Sequence, residues 1–208
     1  MPARKDAQRC AVFDVEGVLF PEIWPALAER FSLQALRRTT RDCANYDELM
    51  QGRLSLLAQH SIGLSDIVKT IESLDPLPGA REALLAARRE MPVLLLSDTF
   101  EEFARVFAPK LGFPAIFCHR LVVSGDTIVS YVLRMHDQKR AAVESLQKLG
   151  FYVSAIGDSF NDLSMLHAAD QGMLVNAPTF IAKSNQIFPV FSDVSSAVAA
   201  LLSSPMSS

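Results

Sequence analysis

The sequence predicts an α/β fold built on a parallel sheet, and three observations predict it. First, short apolar runs recur, each followed by a polar residue or a glycine: Cys10 to Phe13, Pro92 to Leu96, Val153 to Ile156 and Met173 to Val175, with weaker runs at Ala115 to Cys118 and Phe188 to Phe191. Continuous apolar runs suit strands covered on both faces. Second, amphipathic stretches at helical spacing alternate with them: Gly79 to Glu90, Phe100 to Leu111, and Gln138 to Leu149 with Gly150 as its stop. Third, strand–helix alternation implies βαβ units with right-handed crossovers and helices on both faces. One local exception is Leu121 to Arg134, where two β-rich runs flank Ser124-Gly125-Asp126-Thr127 and read as a hairpin.

Pro21 to Leu74 breaks the alternation. It holds no convincing strand and reads as helices over Pro21–Phe31, Tyr46–His60 and Ser65–Leu74, with Ser65 as an N-cap. The DPLPG stretch from Asp75 turns the chain back to the sheet. The expected division is therefore a sheet core over 8–20 and 76–203, with a small helical domain, 21–75, inserted after the first strand. The terminal SSPMSS is expected to fray.

Composition narrows the function classes. The 208 residues are 50% hydrophobic and 21% charged, an ordinary globular balance that argues against disorder, collagen and a coiled coil. Twenty basic residues against 23 acidic ones, a net charge of −3, leave no excess to neutralise phosphates along a nucleic acid. No apolar run reaches the roughly 18 residues of a membrane span. The polar N-terminus does not read as a signal or transit peptide. Cys10, Cys43 and Cys118 are odd in number and scattered, so they read as reduced thiols of a cytoplasmic protein.

The chemistry lies in four polar clusters after strand ends: Asp14-Val15-Glu16-Gly17, Ser97-Asp98-Thr99, Lys139 at a helix start, and Gly157 to Asp162 (GDSFND). Open α/β sheets bind ligands outside the carboxyl ends of their strands, so all four can meet at one point. Carboxylates crowded there repel one another unless a hard cation such as Mg²⁺ joins them. An added ammonium and hydroxyl suit a phosphoryl group. The inferred chemistry is metal-assisted phosphoryl transfer, with a carboxylate nucleophile giving an aspartyl phosphate. There is no P-loop motif and no dinucleotide fingerprint.

In order, DVEGVL, SDT, Lys139 and GDSFND resemble the motifs of the haloacid-dehalogenase-like phosphatases, which implies a Rossmann-like core. The helical insert resembles the cap of their phosphoserine phosphatase branch. DVEGVLFPEIW, TTRD, YDELM, LSDTFEEF and GFPAIFCH resemble the bifunctional bacterial members that also transfer to homoserine. The resemblance covers about residues 10–192. It implies Asp14 as nucleophile and metal ligand, and Glu16 as proton donor and acceptor whose main-chain carbonyl also binds Mg²⁺. Glu16 departs from the Asp usual in the wider family but matches this branch. The resemblance further implies Asp158 as the second carboxylate ligand, and Ser97, the Asp98 main chain, Lys139 and Asn161 around the phosphoryl group, with Arg140 as a rival to Lys139. Asp162 would support the metal shell or the loop.

In the cap, Glu22 would pair with a substrate ammonium and Arg53 would hold its carboxylate, bidentately and better than Lys. Thr99, Arg41 and His119 are weaker pocket candidates, with a loop histidine as the plain reading of His119. Trp24 and Phe31 read as cap core, and His60, His136 and His167 as surface residues. The implied activity is hydrolysis of O-phospho-L-serine, with homoserine as a second acceptor, a homodimer as assembly, and cap movement to admit substrate. A phosphatase for another small phosphomonoester and a silent phosphate-binding protein stand as alternatives.

Overall fold

In the computed structural model, which describes residues 7–39 and 46–203, the apolar runs form β1 (Arg9–Phe13), β2 (Val93–Phe100), β3 (Ile116–Ser124), β4 (Thr127–Val132), β5 (Tyr152–Gly157), β6 (Gln171–Val175) and β7 (Val190–Phe191). They make one sheet in the order β4-β3-β2-β1-β5-β6-β7. Every pairing is parallel except that of β3 with β4. The helices are α1 (Ile23–Arg30), α2 (Tyr46–Gln59), α3 (Leu64–Glu72), α4 (Ala80–Glu90), α5 (Glu101–Phe107), α6 (Gln138–Lys148), α7 (Leu163–Ala168), α8 (Thr179–Ser184) and α9 (Val194–Ser203).

Alternate side chains of the strands enter two apolar clusters. Val12, Leu96, Val153 and Ala155 meet Val143 of α6 and Met165 of α7 on one face. Ala11, Phe13, Leu95 and Ile156 join the other cluster, which also takes in Leu84 of α4, Phe103 of α5 and Val198 of α9. That second cluster continues without a break into Ile23 and Leu27 of α1 and Ile67 and Ile71 of α3. Phe20, the residue just before the insert, stacks on Phe107 of α5 at 5.1 Å between centroids. Fully buried side chains of this size contribute about 1.5–3 kcal/mol each.

The structure corrects several boundaries. β2 runs on through Ser97, Asp98, Thr99 and Phe100, so the one cluster Ser97-Asp98-Thr99, expected after a strand, lies inside its last residues, and α5 starts at Glu101. The remainder of that expected helix, Ala108–Leu111, is a 3-10 turn whose second residue is Pro109. The weak run at Ala115 and the first arm of the hairpin are one strand, β3. Helices α7, α8 and α9 are additions. Two are six residues long, and α9 (VSSAVAALLS) carries no charged face to mark its period. The final residues, Cys43 and Arg41 lie outside the described residues. Among the described residues no helix is long and apolar enough to cross a membrane.

Ser65 is not the N-cap of α3; Gly63 is. The end of α3 is closed instead from 61 residues away. The Ser65 main-chain N–H donates to Asp126 Oδ1 at 2.8 Å, the Ser65 hydroxyl to Asp126 Oδ2 at 2.7 Å, and the Leu64 N–H to the Asp126 carbonyl at 2.8 Å. A Cβ on residue 63 would fall 2.0 Å from Asp126 Oδ2, so glycine is what lets the hairpin tip approach. Gly63→Ala and Asp126→Ala are therefore expected to lower Tm by similar amounts, with no further loss in the double variant, as read by thermal unfolding. The bonds from the Ser65 hydroxyl and N–H hold the Asp126 carboxyl below its ordinary value. This stabilisation is present above the ordinary carboxylate range and is lost as the pH falls through the lowered value.

Candidate active site

Strand register builds the site. Phe13 of β1 pairs with Leu95 of β2 and Ile156 of β5, so the next residue, Asp14, emerges at the carboxyl edge between those strands. Its N–H donates to the Ile156 carbonyl at 2.9 Å. Ser97 and Asp158, each two residues beyond a partner of Phe13, arrive at the same edge. β1 is the strand from which the order runs outward both ways, the expected position for a ligand crevice.

Lys139, in the first turn of α6, is 2% exposed and reaches this edge. Its Nζ donates to Asp14 Oδ1 and Asp162 Oδ1, both at 2.7 Å, and stands 3.5 Å from Asp98 Oδ2. Burial alone would lower its pKa, but Asp14, Asp162 and Asp98 outweigh burial and hold the ammonium well above its ordinary value. Asp162 is fully buried, and its second oxygen accepts the N–H groups of Asp158 (2.9 Å) and Ser159 (3.1 Å). Gly157 permits that approach, since a Cβ there would lie 2.5 Å from Asp162 Cβ. Asp162 thus orders the GDSFND turn and braces Lys139. Arg140, the rival cation, faces outward and bonds Glu144 at 2.7 Å.

Asp14, Asp158 and Asp162 are all buried and offer oxygens within 4.8 Å of one another. Burial, and then repulsion from Asp162, push the Asp14 carboxyl well above its ordinary value against the pull of Lys139. Such an all-oxygen, acidic cluster suits a hard divalent cation, which would also keep Asp14 ionised.

Glu16 is partly buried, and its Oε2 accepts the N–H of Ile23 at 2.9 Å, one of the free donors at the start of α1. Burial raises its pKa, opposed by the Ile23 bond and by Thr99, Arg53 and Lys139. Arg53, on α2, is 5% exposed and lies over the Trp24 ring at 4.3 Å. One terminal nitrogen donates to the Arg38 carbonyl at 2.9 Å, whereas the buried Nε has no hydrogen-bond partner. Burial lowers the guanidinium to about 10, resisted by Glu16, Tyr46 and Glu22.

One small chamber is lined by Asp14, Glu16, Glu22, Arg53, Ser97, Asp98 and Asn161. Its volume of about 40 Å³ is room for roughly three waters. Lys139 lies beside it and lines an adjoining cavity of about 290 Å³ that shares Tyr46, Asp98 and Asn161. Eight of the sequence-chosen site candidates, Thr99 among them, thus share one chamber, His119 lines the adjoining cavity, and Lys139 bonds Asp14. Asp158 is buried in the acidic cluster below.

Sequence reasoning missed Tyr46, Thr39 and Gln138 as parts of this site. Tyr46 donates its phenol to the Asp98 carbonyl at 2.8 Å. Gln138 sits beside Lys139 in MHDQKRAA, where a polar helix-start residue reads as solvated, yet it is 2% exposed. His119 is not a loop histidine: it lies on β3 and is 4% exposed. Nor is the Asp98 carboxylate idle. Burial would raise it, but Lys139, His119, Asn161 and Gln138 overcome that and keep it ionised.

An α/β sheet with a buried carboxylate at the end of its first strand, a lysine against it and an acidic turn after the fifth strand defines a hydrolase class. The family model for the haloacid dehalogenase-like hydrolases matches residues 8–170, and the chain belongs to that family. It is similar to a phosphoserine phosphatase of Pseudomonas syringae pv. tomato, 45% identical over 184 residues, 88% of this chain and 78% of that protein. It is also similar to the phosphoserine phosphatase ThrH of Pseudomonas aeruginosa, 44% identical over 180 residues, 86% of this chain and 88% of that protein. Among solved structures, a phosphoserine phosphatase in its apo form superposes with a TM-score of 0.77 at 19% identity, covering 95% of this chain and all of that one. A phospho-aspartyl intermediate analogue of a phosphoserine phosphatase superposes with a TM-score of 0.74 at 20% identity, covering 89% of this chain and 93% of that one.

Proposed function

We propose that this chain is a Mg²⁺-dependent phosphoserine phosphatase that works through phospho-Asp14. The observation that carries the reading is the buried Asp14 carboxylate held 2.7 Å from Lys139 at the central strand end. The names of the two Pseudomonas relatives support the substrate.

The Asp14 carboxylate attacks phosphorus, the bond from phosphorus to the serine oxygen breaks, and Glu16 gives that oxygen a proton. A raised pKa in Glu16 suits a group that must begin protonated. Water then attacks the acyl phosphate, Glu16 takes its proton, and inorganic phosphate leaves. Ser97, Lys139 and Asn161 hold the phosphoryl oxygens. Asp14, Asp158 and the Glu16 carbonyl would hold Mg²⁺, which when bound neutralises phosphoryl charge. The segment 21–75 acts as the specificity part, with Glu22 facing the substrate ammonium and Arg53 its carboxylate. A desolvated guanidinium whose buried Nε lacks a hydrogen-bond partner is suited to a carboxylate partner.

The test is phosphate release from O-phospho-L-serine with Mg²⁺ and with chelator, with and without homoserine. Release that depends on Mg²⁺ is expected. Phosphohomoserine should appear when homoserine competes with water at phospho-Asp14, and its absence would remove the transfer reaction while leaving the hydrolysis. Arg53→Ala is expected to raise KM for phosphoserine about 10–100-fold, the loss of a charge-assisted bond, while sparing a simple aryl phosphate. Arg53→Lys should not restore it. Unchanged KM in Arg53→Ala would sink the cap reading alone.

A further inference from the structure

Asp98 stands where four elements meet, and its two carboxylate oxygens face different ways. Oδ2 accepts Asn161 Nδ2 at 2.7 Å and stands 3.5 Å from Lys139 Nζ, on the side of the phosphoryl site. Oδ1 accepts Gln138 Nε2 at 3.2 Å and lies 3.4 Å from His119 Nε2. The tautomer of His119 follows from its other nitrogen. Nδ1 accepts the main-chain N–H of Arg134 at 3.1 Å, so the neutral ring carries its hydrogen on Nε2, toward Asp98. Gln138 also donates to the Ser97 carbonyl at 2.7 Å, and its Oε1 accepts Arg134 Nε at 3.2 Å. Gln138 and His119 are both buried; they line the adjoining cavity beside Lys139 and do not reach the small chamber that holds Asp14.

We propose that Gln138 and His119 are positioning residues for phosphoryl transfer, acting through Asp98 to hold Asn161 and Lys139 against the phosphoryl site. The proposal rests on the reading of Asp14 as nucleophile. Lys139 is held by Asp14 and Asp162 at 2.7 Å each, and Asp98 Oδ2, 3.5 Å away, adds a third pull whose direction follows where Asp98 points. Two donors on Oδ1 fix the carboxylate's rotation, which leaves Oδ2 aimed at Asn161 and Lys139. The Gln138 bond to the Ser97 carbonyl fixes the strand end that carries the Ser97 hydroxyl.

The experiment measures turnover of p-nitrophenyl phosphate, which needs no serine recognition, alongside thermal unfolding. Gln138→Met, which removes the amide at similar volume, is expected to lower kcat about 10–100-fold, with the smaller share of the loss in KM. His119→Phe should lower kcat about tenfold, and His119→Gln, which keeps a donor toward Asp98, should restore most of it. In an Asp98→Asn background, Gln138→Met should cost clearly less than in wild type, because the route through Asp98 is already broken and only the bond to the Ser97 carbonyl remains to be lost. A kcat within about twofold of wild type for Gln138→Met, a full penalty in the Asp98→Asn background, or a His119→Gln variant as poor as His119→Phe would each overturn the proposal. Should Gln138→Met fail to fold, the His119 pair decides. Wild-type turnover of the aryl phosphate without turnover of phosphoserine would remove the substrate reading and leave this test standing. No turnover of either would remove the nucleophile reading and this proposal together.

Discussion

Asp14→Asn is expected to lose phosphoserine hydrolysis by about 10⁴-fold or more, the scale seen when a nucleophile is deleted. The amide oxygen can still accept the Lys139 ammonium that now lies 2.7 Å from Asp14 Oδ1, so the site should keep its shape. What it loses is the charged oxygen that bonds to phosphorus. Two measurements check this: steady-state phosphate release, and the mass of the acid-quenched protein during turnover. Wild type should trap one phosphoryl group and the variant none. A variant within tenfold of wild type, or one that still traps phosphate, would place the covalent step elsewhere.

Lys139→Met is expected to be the most damaging substitution for stability. It would leave Asp14, Asp98 and Asp162 facing one another with their shared cation gone. Removing one partner of a buried ion pair costs about 3–5 kcal/mol. For a chain of this length that is a fall in Tm of roughly 10 °C. Activity should fall about 10²–10³-fold with it, the cost of losing a preorganised charge at the reacting group. The pH dependence has a definite sign. The folded-state pKa of Lys139 is raised, so its contribution is fully present below the ordinary lysine value and fades only as the pH rises through the raised one. Wild type should therefore hold this contribution across neutral pH and lose it only in strong alkali. The variant should instead gain stability on acidification, as its carboxylates take up protons. Added Mg²⁺ should recover part of the loss, because a cation that binds only the folded state stabilises it. A Tm unchanged from wild type would show that the carboxylates find another partner.

The sheet was legible because buried parallel strands write themselves as apolar runs; Val153 to Ile156 and Met173 to Val175 fall wholly within β5 and β6. The principal acids were legible because each follows such a run, and parallel register then brings them together. Gln138 was not, and His119 stood only as a weaker pocket candidate, because what makes them part of the site is burial and partners supplied by β2 and by Arg134. A glutamine at a helix start looks the same in sequence whether it meets water or Ser97. Ser65 failed for a related reason. It had the residue type of a cap, and the cap it takes part in comes from Asp126 on another element. The short helices α7 and α8 were hidden by length, since one and a half turns leave too few residues to show a period.

The Asp126 seal on α3 has a consequence for recombination. Residues 21–75 look like a self-contained cassette that could be grafted onto another sheet core to transfer substrate choice. Yet the first turn of α3 borrows its closure from the turn at 124–127, and Tyr131 of β4 also bonds Asp47 at the start of α2. A graft cut at 21 and 75 would arrive with one helix end open and its α2 anchor missing. The heritable unit is the cassette together with the β3–β4 hairpin, so these two separated stretches should tolerate exchange only as a pair.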